Sequence, residues 1–320
     1  MARALWYVGG GRAELRDAAL AAPRPGEVAV RAHYSAVSRG TERLVIQGRV
    51  PVTEYDRMRC PHQGGAFPFP VKYGYALAGE IVGGGRVFVL HPHQDAVVVA
   101  AADAHPIPDG VPTRRATLAA NTETALNVVW DARVAPGDRV LIVGGGVLGL
   151  LIARIAARVP GTRVTVVDID ADRAQTAKAL GADFARPDAA PADQDVVIHT
   201  SATEAGLAVA LRAAGVEARV VEASWHGDQA PRVPLGGAFH ARRLQLISSQ
   251  VGAVPADHRV RWSTSRRLAA ALDLLKDDAF DALITGDLAF HEADRKIPDI
   301  LADGAKGLAT VLRYEKESRR

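Results

Sequence analysis

Cysteine occurs once in the 320 residues, at Cys60, which excludes an internal disulfide and any all-thiolate zinc or iron-sulfur site. A reducing, cytoplasmic setting is the expectation that follows. Long apolar runs are also missing: the longest, residues 140–152, falls short of the roughly 20 residues needed to cross a bilayer. The opening MARALWYVGGGR has neither a long apolar core nor a cleavage-like segment. No block of one charge sign exists; 39 Lys and Arg are interspersed with 36 Asp and Glu, giving a formal charge of +3. That mixture reads as a solvated surface and argues against nucleic acid as a partner. Low-complexity linkers and repeats are absent, and 48% hydrophobic residues suffice for one large core or two ordinary ones.

What is present changes period along the chain. EVAVRAHYSAVS alternates at period two, KYGYALAGEIV and RVFVLHPH read as further short strands, and ATLAANTETALNVVWDA reads as a helix. Beyond it, strand and helix alternate. VLIV leads into VLGLLIARIAARV, VTVVD into a helix capped by Asp170, DVVIHTS into EAGLAVALRAAG, and RVVEAS closes the series. Such apolar strands separated by helices predict an α/β fold whose doubly wound parallel sheet is covered on both faces. A basic amphipathic helix, TSRRLAAALDLLKD, and a last strand, GLATVLRY, read as a return to the first domain.

Between the strand VLIV and its helix, Gly144, Gly146 and Gly149 satisfy GxGxxG, and Asp168 ends the next strand nineteen residues after Gly149. The motif is weak alone, but strand, helix and acidic residue together make the dinucleotide-binding fingerprint. Gly144 permits the tight turn, Gly146 lets backbone approach a pyrophosphate, and Gly149 lets helix and strand pack closely. The helix start at Val147 and Leu148 offers unpaired amides to phosphate. Asp168 can accept from adenosine ribose hydroxyls and would repel a 2′-phosphate, so NAD is expected over NADP. Arg173 either covers the adenine or is solvated. Thr200, Ser201, Ala223 and Ser224, at later strand ends, are expected to line the same crevice.

With these motifs the chain resembles the medium-chain dehydrogenase/reductase superfamily, from the β-rich first domain through PGDRVLIVGGG and LGAD to the C-terminal return. SRGTER, KYGYALAGEIV, HPHQD and NTETALN look like its bacteriochlorophyllide-dehydrogenase-like branch. The resemblance implies a Rossmann domain over residues 116–254 and a GroES-like catalytic domain over 1–115 and 255–320. It also implies a homodimer formed through the apolar edge strand LQLISSQV.

The departures from the family are specific. Its zinc members carry Cys and His where this chain has Ser38 and Tyr75, and a second Cys near Ala120; a hydroxyl, a phenol and a methyl do not replace two thiolates and an imidazole. The four-cysteine lobe of a structural zinc is missing as well, since HPHQD passes directly to AVVVAAAD. No metal is therefore expected at the usual positions. Cys60, His62, His91 and His93 leave a non-standard site open, with His91 and His93 sharing one side if both lie on a strand; alternatively the HPH pair caps a strand and Cys60 is a loop thiol.

Without zinc, another group must handle the hydroxyl proton of an alcohol that gives up hydride. The candidates are Ser38, Glu42, Tyr75, His93 and Glu123, with Tyr75 or His93 as the proton-transfer group. Glu42 and Glu123 are either buried carboxylates or partners of Arg39 and Arg43. Lys72, three residues before Tyr75, either tunes that phenol, binds an anionic substrate or is solvated. The resemblance implies a zinc-independent, NAD-dependent dehydrogenase interconverting a secondary alcohol and a ketone on a small polar or ring-bearing metabolite. Two alternatives stay open: an NAD(P)H-dependent quinone or enone reductase, and a non-catalytic nucleotide-binding sensor.

Overall fold

The computed structural model describes residues 1–315 and divides into two compact units. Among the described residues the first comprises 1–120, 272–276 and 284–315; the second comprises 121–271 and 277–283. Taken in chain order, the first unit opens with β1 (Ala2–Gly9), β2 (Arg12–Ala18) and the long β3 (Glu27–Val37), followed by α1 (Arg39–Ile46). Short strands β4 (Gly64–Gly65) and β5 (Val71–Lys72) precede β6 (Leu77–Ile81), β7 (Arg86–Val89), β8 (Ala96–Ala100) and β9 (His105–Pro106). A single helical turn, α2 (Thr113–Ala116), leads to α3 (Ala119–Ala132), whose first two residues end this stretch of the unit.

The second unit is built on β10 (Arg139–Val143), α4 (Val147–Ala157), β11 (Arg163–Val167), α5 (Arg173–Ala179), β12 (Asp183–Ala185), β13 (Gln194–His199), α6 (Glu204–Ala213), β14 (Ala214–Glu222) and β15 (Gln245–Ser248). Its six strands run parallel in the order β12-β11-β10-β13-β14-β15, the doubly wound arrangement that alternating strands and helices predict. Burial explains the unbroken apolar strands. Val140, Leu141 and Ile142 are fully enclosed, as are Leu150, Leu151 and Ile152 on α4, each side chain contributing about 1.5–3 kcal/mol. Asp170 does not cap α5: the helix starts at Arg173, and the Asp170 carboxylate instead accepts from the Asp172 amide at 3.2 Å.

The return to the first unit comes later than residue 255. Helix α7 (Thr264–Leu274) belongs to the second unit through Ala271, because Arg267 is anchored there to Glu123 and Asn127. Then β16 (Ile284–Ala289), α8 (Ala293–Leu301) and β17 (Ala309–Arg313) complete the first unit. Its larger sheet runs β16-β17-β3-β6-β7-β9, with β8 also paired to β3; the smaller runs β2-β1-β5-β4. Thus β17 pairs antiparallel with β3, Thr310 opposite Val37. Among the described residues no helix is long and apolar enough to cross a membrane.

Candidate active site

In the second unit β10 ends at Val143, and the chain must turn at once to start α4. Gly144 does so at φ +115°, and a Cβ there would lie 2.7 Å from Thr200 Oγ1. A Cβ on Gly149 would meet the Gly144 carbonyl oxygen at 1.9 Å, so helix and strand touch backbone to backbone. At Gly146, by contrast, a Cβ would find no atom within 4 Å: open space lies in front of the first-turn amides, which a helix leaves without intrahelical acceptors. An open approach to unpaired amides fits a pyrophosphate.

Around this turn the strand ends converge as the topology requires. Asp168 accepts from the Gly145 amide at 2.5 Å through Oδ2 and from the Asp170 amide at 2.7 Å through Oδ1, so its carboxylate is fixed with lone pairs to spare. Arg173 packs its Cβ and Cγ beside Gly145 and reaches Asp170 at 3.5 Å. The Thr200 hydroxyl donates to the Gly144 carbonyl at 2.9 Å, and Ser201 Oγ lies 2.7 Å from His199 Nε2. Beside Ala223, Ser224 Oγ accepts from the Ala202 amide at 3.0 Å.

In the first unit the junction of β3 with α1 gathers polar groups. Tyr75, partly buried, has its phenol oxygen within hydrogen-bond reach of Ser38 Oγ and 3.1 Å from Thr41 Oγ1. Ser38 and Tyr75 therefore do meet. Burial pushes the Tyr75 phenol up to about 12, against the opposing pull of its two hydroxyl neighbours.

Beneath this cluster, Glu42 is fully buried and fully engaged. Its Oε1 accepts from the Ser38 amide at 2.7 Å, and its Oε2 accepts from the Tyr7 phenol and from His93 Nε2 at 3.0 Å. His93 Nδ1 lies 2.7 Å from Ser35 Oγ, which is 2.8 Å from the Tyr314 phenol. Burial, and then the Glu42 charge, holds the Tyr7 phenol well above its ordinary range. His93 has no exposed surface, so it acts as an internal support for Glu42 and α1.

Other expectations separate here. Neither acid pairs with Arg39 or Arg43, which donate instead to backbone carbonyls, Arg39 to Gly307 and Arg43 to Leu301. Glu123 lies in the second unit, bound to Arg267 Nε at 2.9 Å, an ion pair that occupies it structurally. Lys72 donates to Gln94 at 2.8 Å, and burial lowers its pKa. His91 and His93 lie beyond the end of β7, so strand alternation does not set their directions, and they take different partners, His91 the Pro92 carbonyl and His93 Ser35 and Glu42. His91 stacks on His62 with ring centres 5.0 Å apart, and burial takes it down to about 3. The buried Cys60 thiol is pushed up to about 12 by desolvation.

Four participants, Tyr7, Ser35, Thr41 and Tyr314, escape sequence reasoning. Their spacing forms no motif; the usable signal is a tyrosine inside an apolar strand, since a buried phenol needs a hydrogen-bond partner. His199, Glu222 and His226 escape too. Among the described residues they form the only group of three or more His, Cys, Asp or Glu whose ligand atoms all lie within 4.8 Å of one another.

No family model matches the chain. D-guloside 3-dehydrogenase of Escherichia coli K12 is 25% identical over 313 residues, covering 85% of this chain and 88% of that protein. Solved structures share the fold over nearly the whole chain. An alcohol dehydrogenase of E. coli CFT073 complexed with NADH is 19% identical at TM-score 0.77, covering 98% of this chain and 99% of that one. A Sinorhizobium meliloti 1021 protein described as a zinc-binding dehydrogenase and bound to NADP is also 19% identical, at TM-score 0.78 and the same coverage. These relatives are sugar and polyol dehydrogenases, and the solved neighbours share with this chain the alcohol-dehydrogenase-like fold. Against the medium-chain dehydrogenase/reductase superfamily that the chain resembles, its metal positions depart. Ser38, Tyr75 and Ala120 supply no thiolate, imidazole or carboxylate, and the first two are hydrogen-bonded to each other, so a zinc ion of the family's kind does not fit these residues.

Proposed function

We propose that the protein is an NAD-dependent dehydrogenase that interconverts a secondary alcohol and a ketone on a sugar- or polyol-type metabolite without zinc at Ser38, Tyr75 and Ala120. The observation that carries the reading is the phenol of Tyr75, held against two hydroxyls where zinc members of the family place a metal ligand. The relation to D-guloside 3-dehydrogenase supports the substrate class. Bound nicotinamide supplies the hydride acceptor. The chain's own residues must then deal with the proton. With a pKa of about 12, Tyr75 carries its proton at neutral pH; turned from Ser38 to a substrate oxygen, the phenol would donate there and could deliver its proton to an alkoxide. In the oxidative direction the same phenol must first lose its proton, and Ser38 and Thr41 offer the adjoining hydroxyls. Glu42 and His93 act through Ser38, fixing the start of α1.

A panel of glycosides, sugars and polyols tested with NAD, in the presence of chelator, is expected to reveal turnover. Oxidation should accelerate about tenfold per pH unit from neutrality toward pH 10, as the phenolate fraction of a group titrating near 12 grows. Tyr75→Phe is expected to lower kcat about 100-fold in both directions and to flatten that slope. Retention of slope and rate in Tyr75→Phe, or consumption of NADPH by enones with no alcohol oxidised, overturns the reading.

Asp168 supports the choice of NAD, because its fixed carboxylate would face the ribose hydroxyls and repel a 2′-phosphate. For Asp168→Ser, calorimetry should show NAD binding weakened by about 30-fold, the loss of a charged hydrogen-bonding group, with NADP affinity rising. Equal affinity of the unmodified protein for both nucleotides speaks against the assignment. For the edge strand β15 we place a second copy of the chain, extending the parallel sheet as a homodimer.

A further inference from the structure

At the carboxyl ends of two neighbouring strands of the second unit, three ligand groups converge that the proposed chemistry does not use. His199 is the last residue of β13 and Glu222 the last of β14; the two are paired in register. His226 stands four residues on, in the segment between β14 and β15. His199 is fully buried, and the side chains of Glu222 and His226 are 18% and 14% exposed. His199 Nδ1 lies 2.6 Å from Glu222 Oε2, and His226 Nε2 lies 3.5 Å from the same oxygen. Nε2 of His226 is closed off from solvent and has no hydrogen-bond partner among the described residues. A buried imidazole nitrogen left in that state is costly unless something occupies the position it faces.

From this geometry we infer a binding site for a divalent transition-metal ion of the zinc type, held by His199, Glu222 and His226. Two imidazoles and one carboxylate are borderline ligands that suit Zn²⁺ or Co²⁺ and leave a fourth position for water. Around a tetrahedral Zn²⁺ with bonds near 2.0–2.1 Å, ligand atoms stand about 3.3 Å apart. The observed separations of 2.6 and 3.5 Å, with every pair inside 4.8 Å, bracket that value. Entry of the ion requires the His199–Glu222 hydrogen bond, now 2.6 Å, to open toward the roughly 3.3 Å of a tetrahedral pair.

The surroundings suit this exchange. Glu222 Oε1 accepts from the Ser224 amide at 2.8 Å, which fixes the carboxylate and leaves Oε2 turned to the two imidazoles. On the far side of His199, Nε2 lies 2.7 Å from Ser201 Oγ; with a metal on Nδ1, Nε2–H donates to that hydroxyl and orients the ring. The ion would tie the segment carrying His226 to the end of the sheet.

The test uses the full chain, stripped with chelator, dialysed and free of nucleotide, so that it reads independently of the dehydrogenase assignment. Calorimetric titration with ZnCl₂, and titration with CoCl₂ followed by visible absorption, should show a single saturable equivalent. His226→Ala and Glu222→Gln are each expected to weaken binding about 100-fold, since each removes a direct ligand rather than an outer contact. His226→Gln, which keeps volume in the same segment, should match His226→Ala, with circular dichroism checking that each variant is folded. Cys60→Ser and His62→Ala should bind as the unmodified protein does. No saturable binding by the unmodified protein, an unchanged isotherm in both His226 variants, or a loss confined to the Cys60 and His62 variants overturns the site.

Discussion

Gly149→Ala is expected to lower dinucleotide affinity about a thousandfold, or about 4 kcal/mol, and to destabilise the second unit at the same time. The added Cβ would sit 1.9 Å from the Gly144 carbonyl oxygen, far inside ordinary contact, and the atom it meets is backbone that cannot swing aside. Helix α4 would have to move out by more than an ångström, taking its first-turn amides away from the phosphates. Gly146→Ala provides the contrast. Its φ of −75° suits alanine and its Cβ meets nothing within 4 Å, so thermal stability should hold while the methyl occupies the space a phosphate needs. Calorimetry with NADH and thermal melts on both variants check this. Equal melting temperatures for the two variants, or unimpaired binding in either, would contradict the proposed cradle.

Arg267→Ala should cost about 3–5 kcal/mol of stability at pH 7, because it strands Glu123 inside the protein. Arg267 is among the largest fully buried side chains, donating to Glu123, to Asn127 and to the carbonyls of Val251 and Ala253. Burial already raises the Glu123 pKa, with Arg267 offsetting part of that rise. Removing the guanidinium raises it further. A carboxyl whose folded-state value is raised favours the folded state below its unfolded pKa and weakens it as pH climbs. The loss should therefore be smaller at pH 5 than at pH 7 in urea denaturation. Arg267→Met combined with Glu123→Leu should recover most of the stability, since no charge is then left unpaired. A loss that does not change with pH would mean that the packing of Arg267, not the stranded carboxylate, sets the cost.

The parallel sheet was the most legible part of the chain, because its strands are buried on both faces and read as unbroken apolar runs between helices. Gly144, Gly149 and Asp168 were equally plain: a tight turn, a backbone contact and a strand-end carboxylate each admit few residue types. The hydroxyl cluster was half legible. Ser38 and Tyr75 are visible as departures from the metal-ligand pattern, and the structure brings them together. Glu42 and His93 looked like reacting groups because both residue types titrate, yet three-dimensional pairing turns them inward, to Tyr7, Ser35 and each other. Nothing in local sequence reports a contact such as that between Ser35 and Tyr314, 279 positions apart. The position of α7 was misplaced for a related reason: its amphipathic pattern announces a helix, but only the buried partner of Arg267 says which core it joins.

The pairing of β17 with β3 has a consequence for biosynthesis. As the chain leaves the ribosome, the first unit's larger sheet must wait for residues 309–313, while nearly all of the second unit has already emerged by residue 271. Until β17 emerges, β3 therefore lacks its partner opposite Tyr34 to Val37, while the strands of the second unit's sheet can already pair.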